Sequence, residues 1–346
     1  MANPLILTII VCAAALVFDF INGFHDASNS IATIVATRVL SFRRAVLWAA
    51  LFNFIAFFSF STGVAKTIGV GLMHLDIIAL PSLLAGLLAG IIWNLITWWR
   101  AIPASSSHTL MGALAGAVYA HAALHGDADP AHVFIAEGWI KVLAFIFIAP
   151  IIGFALAFAV HRAALFMRQH VKPAKESWGG WSKFFNYAQL ASSAALSFNH
   201  GTNDAQKTAG VIATALVAGG YMNAVDFHIP LWVLFLANIT IALGTWVGGW
   251  RITKTMGFRL AKLRPMDGFA AESGAALSIA MATFLKLPVS TTLSTTGAIA
   301  GVGAAQKSGF NHEVFKRIFL TWCITLPVAF IMGAGMMVTS EFLFGG

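Results

Sequence analysis

The sequence predicts an all-α polytopic membrane protein built from two inverted-topology repeats, with broken helices and two Ser/Thr-rich re-entrant hairpins. Three observations predict it. Of the 346 residues, 59% are hydrophobic and only 10% charged, against about 25% charged in a soluble domain. The mean hydropathy is +0.82, and several apolar runs approach the ~20 residues needed to cross hydrocarbon as a helix. Secondly, residues 20–30 (FINGFHDASNS) are echoed by residues 198–208 (FNHGTNDAQKT), with Gly23 and Gly201 178 positions apart. Thirdly, residues 103–117 (PASSSHTLMGALAGA) are echoed 185 positions later by 288–302 (PVSTTLSTTGAIAGV), with six of fifteen positions identical and three more exchanging Ser and Thr.

The N-terminal run, residues 4–19, has no Lys or Arg before it and no small-residue cleavage pattern, so it reads as a retained span. Gly23 lies between it and the apolar run 31–40, and the two read as one span interrupted at the polar stretch. Runs at 45–61, 77–99, 104–119 and 139–160 complete the first repeat, 1–160. Residues 161–183 form a basic linker carrying Arg162, Arg168, Lys172, Lys175 and Lys183. The second repeat, 184–346, opens with 185–198 and 208–218, again read as one span interrupted at Gly201. Runs at 230–248, 270–285, 289–305 and 318–338 follow. Asn53 and Asn238, also 185 apart, add a weaker echo.

Loop charge sets the expected sidedness. Arg38, Arg43 and Arg44, the 161–183 linker, the 249–267 connection with Arg251, Lys254, Arg259, Lys262 and Arg264, and then Lys307, Lys316 and Arg317 are basic. The 120–137 loop holds Asp127, Asp129 and Glu137 without Lys or Arg, and 219–229 holds only Asp226. The positive-inside rule puts the basic loops in the cytoplasm and both termini outside, with Lys66 a minor exception. The two polar stretches then lie on spans running in opposite directions, which makes the repeats inverted. The net charge of +8 therefore reports orientation, not a nucleic-acid partner. Cys12 and Cys323 lie in apolar runs and read as packing residues.

Each Ser/Thr stretch places Pro before a run of hydroxyls and then Gly-x-x-x-Gly: Gly112 and Gly116, Gly297 and Gly301. Pro ends one helix and Ser or Thr caps the next. The first turn of a helix offers free N–H groups and a positive dipole end. Two such ends aimed at one point make an oxyanion site, suited to phosphate or sulfate. The candidate anion ligands are Ser105, Ser106, Ser107, Thr109, Ser290, Thr291 and Thr292, with Lys207 able to pair with a carboxylate or meet the anion. The small residues that follow let another helix come close.

Asp26 and Asp204 are ionisable at membrane depth, which costs about 2.5–3.5 kcal/mol each at a helix centre unless compensated. With His25, Asn29 and Asn203 they form the candidate cation or proton site, and the two carboxylates are the candidate metal ligands. His200 and Asp19 are secondary candidates. Arg100 and Lys286 lie before the two prolines and either add positive potential or snorkel to an interface. Glu272 reads as the start of a helix, favouring its dipole. His121, His125 and His132 read as part of a solvated loop, with metal-ion collection as the alternative. Adjacent helix residues such as Ser107 and His108 point about 100° apart, which argues against a nucleophile–base pair and so against an enzyme. Carboxylates beside the anion site argue against a passive anion channel.

The stretches NGFHDASNSIAT, LPSLLAGLLAGIIWNLITWWRAIPASSSHTLMGALAG, FNHGTNDAQKTAG and LPVSTTLSTTGAIAG resemble the inorganic phosphate transporter (Pit) family, in its bacterial low-affinity branch, over nearly the whole chain. The resemblance implies secondary active phosphate uptake, an inverted-repeat fold, a homodimer in the bacterial inner membrane and no permanently bound cofactor. It carries the substrate and cation site onto Asp26, Asn29, Asn203, Asp204, Ser105, Ser106, Ser107, Ser290, Thr291 and Thr292. The sodium-coupled members carry Asn where His25 and Lys207 stand here. This chain is similar instead to bacterial members that take up a neutral divalent metal–phosphate complex with protons. The coupling cation is thus expected to be H⁺, with Na⁺ or a divalent metal as alternatives, and sulfate as the rival anion.

Overall fold

The structure, a computed structural model, describes residues 3–126, 130–171, 179–306 and 309–344. Asp127, Asp129, Lys172, Lys175 and Lys307 of the loop-charge argument lie outside them. The chain forms α1 (Pro4–Ala36), α2 (Phe42–Ile55), α3 (Gly63–Val70), α4 (Leu80–Trp99), α5 (Ser106–His125) and α6 (Ala136–His170), then α7 (Gly179–Ala218), α8 (Leu231–Val247), α9 (Trp250–Lys254), α10 (Pro265–Phe284), α11 (Thr291–Ala305) and α12 (His312–Phe344). Pro4–Ala36, Phe42–Ser59, Leu80–Trp99, Ala136–His170 and His312–Leu343 are each long and apolar enough to cross a membrane; Leu231–Val247 with Trp250–Arg259 qualifies as a span bent by 62°. The bend falls at Gly248, whose φ of +72° an L side chain rarely adopts.

Two expectations are corrected. Helix α1 runs unbroken through Gly23 and α7 through Gly201. A glycine inside a helix costs only about 0.5–1 kcal/mol, and here it admits a neighbour. A Cβ on Gly23 would strike the backbone of α8 at Ile241 and Gly244, and one on Gly201 the backbone of α2 at Asn53. The breaks fall at the α8–α9 bend and at the two Ser/Thr tips instead. The basic linker is also shorter than 161–183, because α6 continues to His170 and α7 begins at Gly179.

Packing pairs the chain's halves reciprocally. Helix α1 packs on α8 and α7 on α2; α5 packs on α12 and α11 on α6; α4 packs on α12 and α10 on α6. The Gly-x-x-x-Gly stretches mediate one such exchange: Gly112 and Gly116 press on Leu326 and Phe330 of α12, and Gly297 and Gly301 on Pro150 and Phe154 of α6. Helices α6 and α12 each carry an interior proline near these contacts, Pro150 and Pro327, which removes one backbone donor from the helix ladder. The apolar side chains of α6 and α12 that face away from the bundle, such as Ile140, Ile151 and Ile331, are exposed. By contrast, residues 200–215 of α7 are wholly buried. That burial explains how a helix of 40 residues tolerates so many polar side chains.

Candidate functional site

Each hairpin tip is made by local chemistry. Helix α4 ends in a turn where Ala101 holds φ 56°, and α10 ends in the same turn with Lys286 at φ 61°, 185 positions later. Ala101 N bonds to Trp98 O and Ile102 N to Thr97 O, and Lys286 N and Leu287 N bond equivalently to Thr283 O and Ala282 O. This is the Schellman pattern with a non-glycine residue in the left-handed position. Pro103 and Pro288 follow. Ser105 Oγ then caps α5 by accepting from His108 N at 3.2 Å, and Ser290 Oγ caps α11 by accepting from Leu293 N at 3.2 Å.

The two tips interlock. Ser107 Oγ donates to Val289 O at 3.0 Å, and Thr292 Oγ1 donates to Ala104 O at 3.2 Å. Donors and acceptors alike are 185 positions apart, so the contacts are reciprocal. Ser105, Ser106, Ser107, Ser290, Thr291 and Thr292 are all at most 4% exposed. First-turn amides have no intrahelical acceptor, and the first turns of α5 and α11 meet at this junction. Ser106 Oγ and Asn29 Oδ1 are buried without a hydrogen-bond partner among the described residues. Thr109 stands apart, its hydroxyl donating back to Ser105 O at 3.0 Å.

Helices α1 and α7 bring the ionisable groups to the tips. Asn29 Nδ2 donates to Thr292 Oγ1 (2.9 Å) and Thr291 Oγ1 (3.2 Å). At the matching position of α7, Lys207 Nζ donates to Ser107 Oγ (2.5 Å), Asp204 Oδ1 (2.5 Å) and Val289 O (2.7 Å). Asp204 also receives Thr291 Oγ1 at 3.3 Å and lies 3.1 Å from His200 Nε2. His25 bridges Asp26 Oδ1 (2.8 Å) and Thr97 Oγ1 (3.1 Å). Its counterpart Asn203 donates to Thr283 Oγ1 (2.9 Å) and Leu287 O (3.2 Å). Asn29, Lys207, Asp204, His200, His25, Asp26 and Asn203 are all nearly or fully buried.

The structure brings together a third metal ligand that the sequence ranked second. Ligand atoms of Asp26, His200 and Asp204 lie within 4.8 Å of one another. His200 Nδ1 is 3.2 Å from Asn53 Oδ1. Asn53 uses its amide nitrogen on Thr245 Oγ1, so its oxygen is the acceptor and His200 Nδ1 the donor. That leaves Nε2 as the atom facing the carboxylates, the orientation metal-binding histidines adopt. Two carboxylates and an imidazole suit a divalent cation. The 174 positions between Asp26 and His200 explain why spacing alone did not join them.

Glu272 is placed differently from the sequence reading, while Arg100 and Lys286 are exposed, as the interface alternative expects, and Asp19 lies beside the site. Glu272 lies in the interior of α10, fully buried, because the helix starts earlier at Pro265, where Asp267 Oδ2 accepts from Arg264 N at 2.8 Å. Its carboxylate receives Thr33 Oγ1 (2.5 Å), Ser192 Oγ (2.6 Å) and Gln189 Nε2 (3.0 Å). Arg100 lies over the Trp99 ring at 5.1 Å, and the aliphatic stem of Lys286 packs against Gly63. Asp19 accepts from Thr208 Oγ1 at 2.8 Å, tying α1 to α7 beside the site.

Residues 22–333 match the phosphate transporter family. A probable low-affinity inorganic phosphate transporter of Rhizobium meliloti (strain 1021) is 43% identical over 337 residues, covering 96% of this chain and 96% of that one. One of the same description from Bacillus subtilis (strain 168) is 42% identical over 333 residues, covering 95% and 96%. A solved structure described as the sodium-dependent phosphate transporter has a TM-score of 0.84 at 22% identity, covering 98% of this chain and all of that one.

Proposed function

This chain belongs to the phosphate transporter family; it is a multi-pass membrane transporter of inorganic phosphate and not an enzyme, and on that premise we propose that it is a symporter coupling phosphate entry to a proton or a metal cation. One observation carries the proposal: two helix starts, 185 residues apart in the chain, are clasped together by reciprocal hydroxyl bonds beside two buried carboxylates. The amides of Ser106, Ser107, Thr291 and Thr292 would bind the phosphate oxygens, with the Ser106 hydroxyl as a further donor. A tetrahedral anion with several acceptor oxygens matches two donor pairs that converge from different helices.

Coupling follows from charge. Asp26 and Asp204 put negative charge beside the anion site, and Lys207 offsets part of it. A second anion in that dry volume is unfavourable unless a cation or proton enters with it. The cation is equally unfavourable away from the carboxylates. Each co-substrate thus raises the other's affinity by the same factor. His200 beside the two carboxylates favours a divalent metal or a proton over sodium, since imidazole is a poor ligand for alkali cations.

The reciprocal packing supports reading residues 1–160 and 184–346 as inverted repeats about the clasped tips, with the basic loops cytoplasmic and both termini outside. Alternating access would then be a rocking of one half against the other while the tips hold the anion. The test is labelled phosphate uptake into proteoliposomes, with pH, Na⁺ and Mg²⁺ varied independently. Uptake driven by a pH gradient, competed by arsenate and indifferent to sulfate, is expected. Equal competition by sulfate, or uptake that never exceeds equilibration, would overturn the proposal.

A further inference from the structure

The two repeats are not chemically equal at the clasp. In the second, Lys207 Nζ is held by three oxygens: the Asp204 carboxylate, the Ser107 hydroxyl and the Val289 carbonyl, at 2.5–2.7 Å. A carboxylate, a hydroxyl and a main-chain carbonyl at such lengths form a hard-oxygen cage; oxygen ligands hold Ca²⁺ at about 2.3–2.6 Å, and Na⁺ has nearly the same radius. The first repeat supplies the matching groups: Asp26, the Thr292 hydroxyl and the Ala104 carbonyl. There the position of Lys207 is taken by Asn29, whose amide donates to Thr292 while Thr292 donates to Ala104 O. One cage has a built-in positive charge and the other has none.

We infer that Lys207 is a covalently tethered coupling cation: its ammonium fills, in the second repeat, an oxygen cage that would otherwise take a mobile monovalent cation. The inference rests on the symport reading above and deepens it. Lys207 is 2% exposed, and its long side chain reaches from α7 to both the α5 tip and the residue before the α11 cap. The three bonds satisfy all three ammonium protons, so the group is fully coordinated within the cage. The ammonium then offsets one of the two carboxylate charges permanently, so one mobile positive charge fewer is needed to balance the phosphate. The transporter moves one monovalent cation fewer per phosphate than a protein with two open cages would.

The chain supplies its own test substitution, since Lys207→Asn makes the second cage like the first. Lys207→Ala opens the same cage without an amide. Both variants and the wild type are purified, and the melting midpoint is followed from 1 to 300 mM NaCl against choline chloride. Labelled phosphate uptake is measured over the same range. Each variant is expected to bind one more Na⁺ than the wild type, so the logarithmic sodium slope of uptake steepens by about one and the midpoint rises with sodium. Methylammonium should restore uptake to Lys207→Ala, whereas N-methylglucamine, too large for the cage, should not. Sodium slopes equal to the wild type's in both readouts, or variants that stay unfolded at 300 mM Na⁺, would overturn the inference. The melting assay needs no phosphate, so it stands apart from failure of the transport reading, which wild-type uptake monitors.

Discussion

Asp204→Asn removes one charge and keeps the shape. Asp204 is fully buried and receives Lys207, Thr291 and the approach of His200. Neutralising one partner of a buried ion pair costs about 3–5 kcal/mol, because the other charge is left without compensation. Asparagine keeps the volume and one acceptor oxygen, so the lower end applies, roughly 3 kcal/mol. At 1.4 kcal/mol per tenfold, that is a loss on the order of 100-fold in the population able to hold cation and anion together. The close packing of α7 is made by other residues: Gly201 lies against α2 and Gly210 against α3. The variant should therefore reach the membrane folded, elute as a single species in detergent, and melt at a lower temperature than the wild type. Phosphate uptake into proteoliposomes should fall about 100-fold. Asp226→Asn, on an 88% exposed side chain, is the control and should change neither property. Uptake by Asp204→Asn within threefold of the wild type would mean that this carboxylate is not needed to hold the co-substrates.

Two predictions concern the scaffold. A methyl group on Gly116 or Gly301 would strike the carbonyl oxygen of Phe330 or Phe154, so Gly116→Ala and Gly301→Ala should each destabilise by about 1–3 kcal/mol, seen as lower melting midpoints. Gly335→Ala, where nothing lies within 4 Å, should not; equal midpoints for all three would contradict the packing account. Ala101→Gly and Lys286→Gly relieve a left-handed conformation worth about 1–2 kcal/mol to a non-glycine residue, so each should raise the melting midpoint, and a fall in both would mean that the turn is not strained.

The Ser/Thr tips were legible in the sequence because their signals are local. A proline followed within two residues by Ser, and then by small residues, specifies a stop, a cap and a packing face without reference to the rest of the chain. Their repetition at a constant spacing added the second observation that isolated motifs lack. The continuity of α1 and α7 was not legible. Gly23 and Gly201 look like breaks until α8 and α2 are seen pressing on them, and that contact is tertiary. Glu272 was misplaced because the apolar run at 270–285 conceals a helix that begins five residues earlier, at Pro265. His200 and Asn53 join the metal-binding set only through the packing of α7 on both α1 and α2. The reciprocal hydroxyl-to-carbonyl clasp has no sequence signature beyond the matched residue types.

The two clasped helix starts are the place where the anion should sit. Arsenate has phosphate's shape, and its arsenic is visible by anomalous scattering, so a crystal of the protein grown with arsenate tests the claim directly. One arsenic peak is expected between α5 and α11, with arsenate oxygens about 2.7–3.2 Å from the amides of Ser106, Ser107, Thr291 and Thr292. A peak bound elsewhere, with those four amides facing protein acceptors, would contradict it.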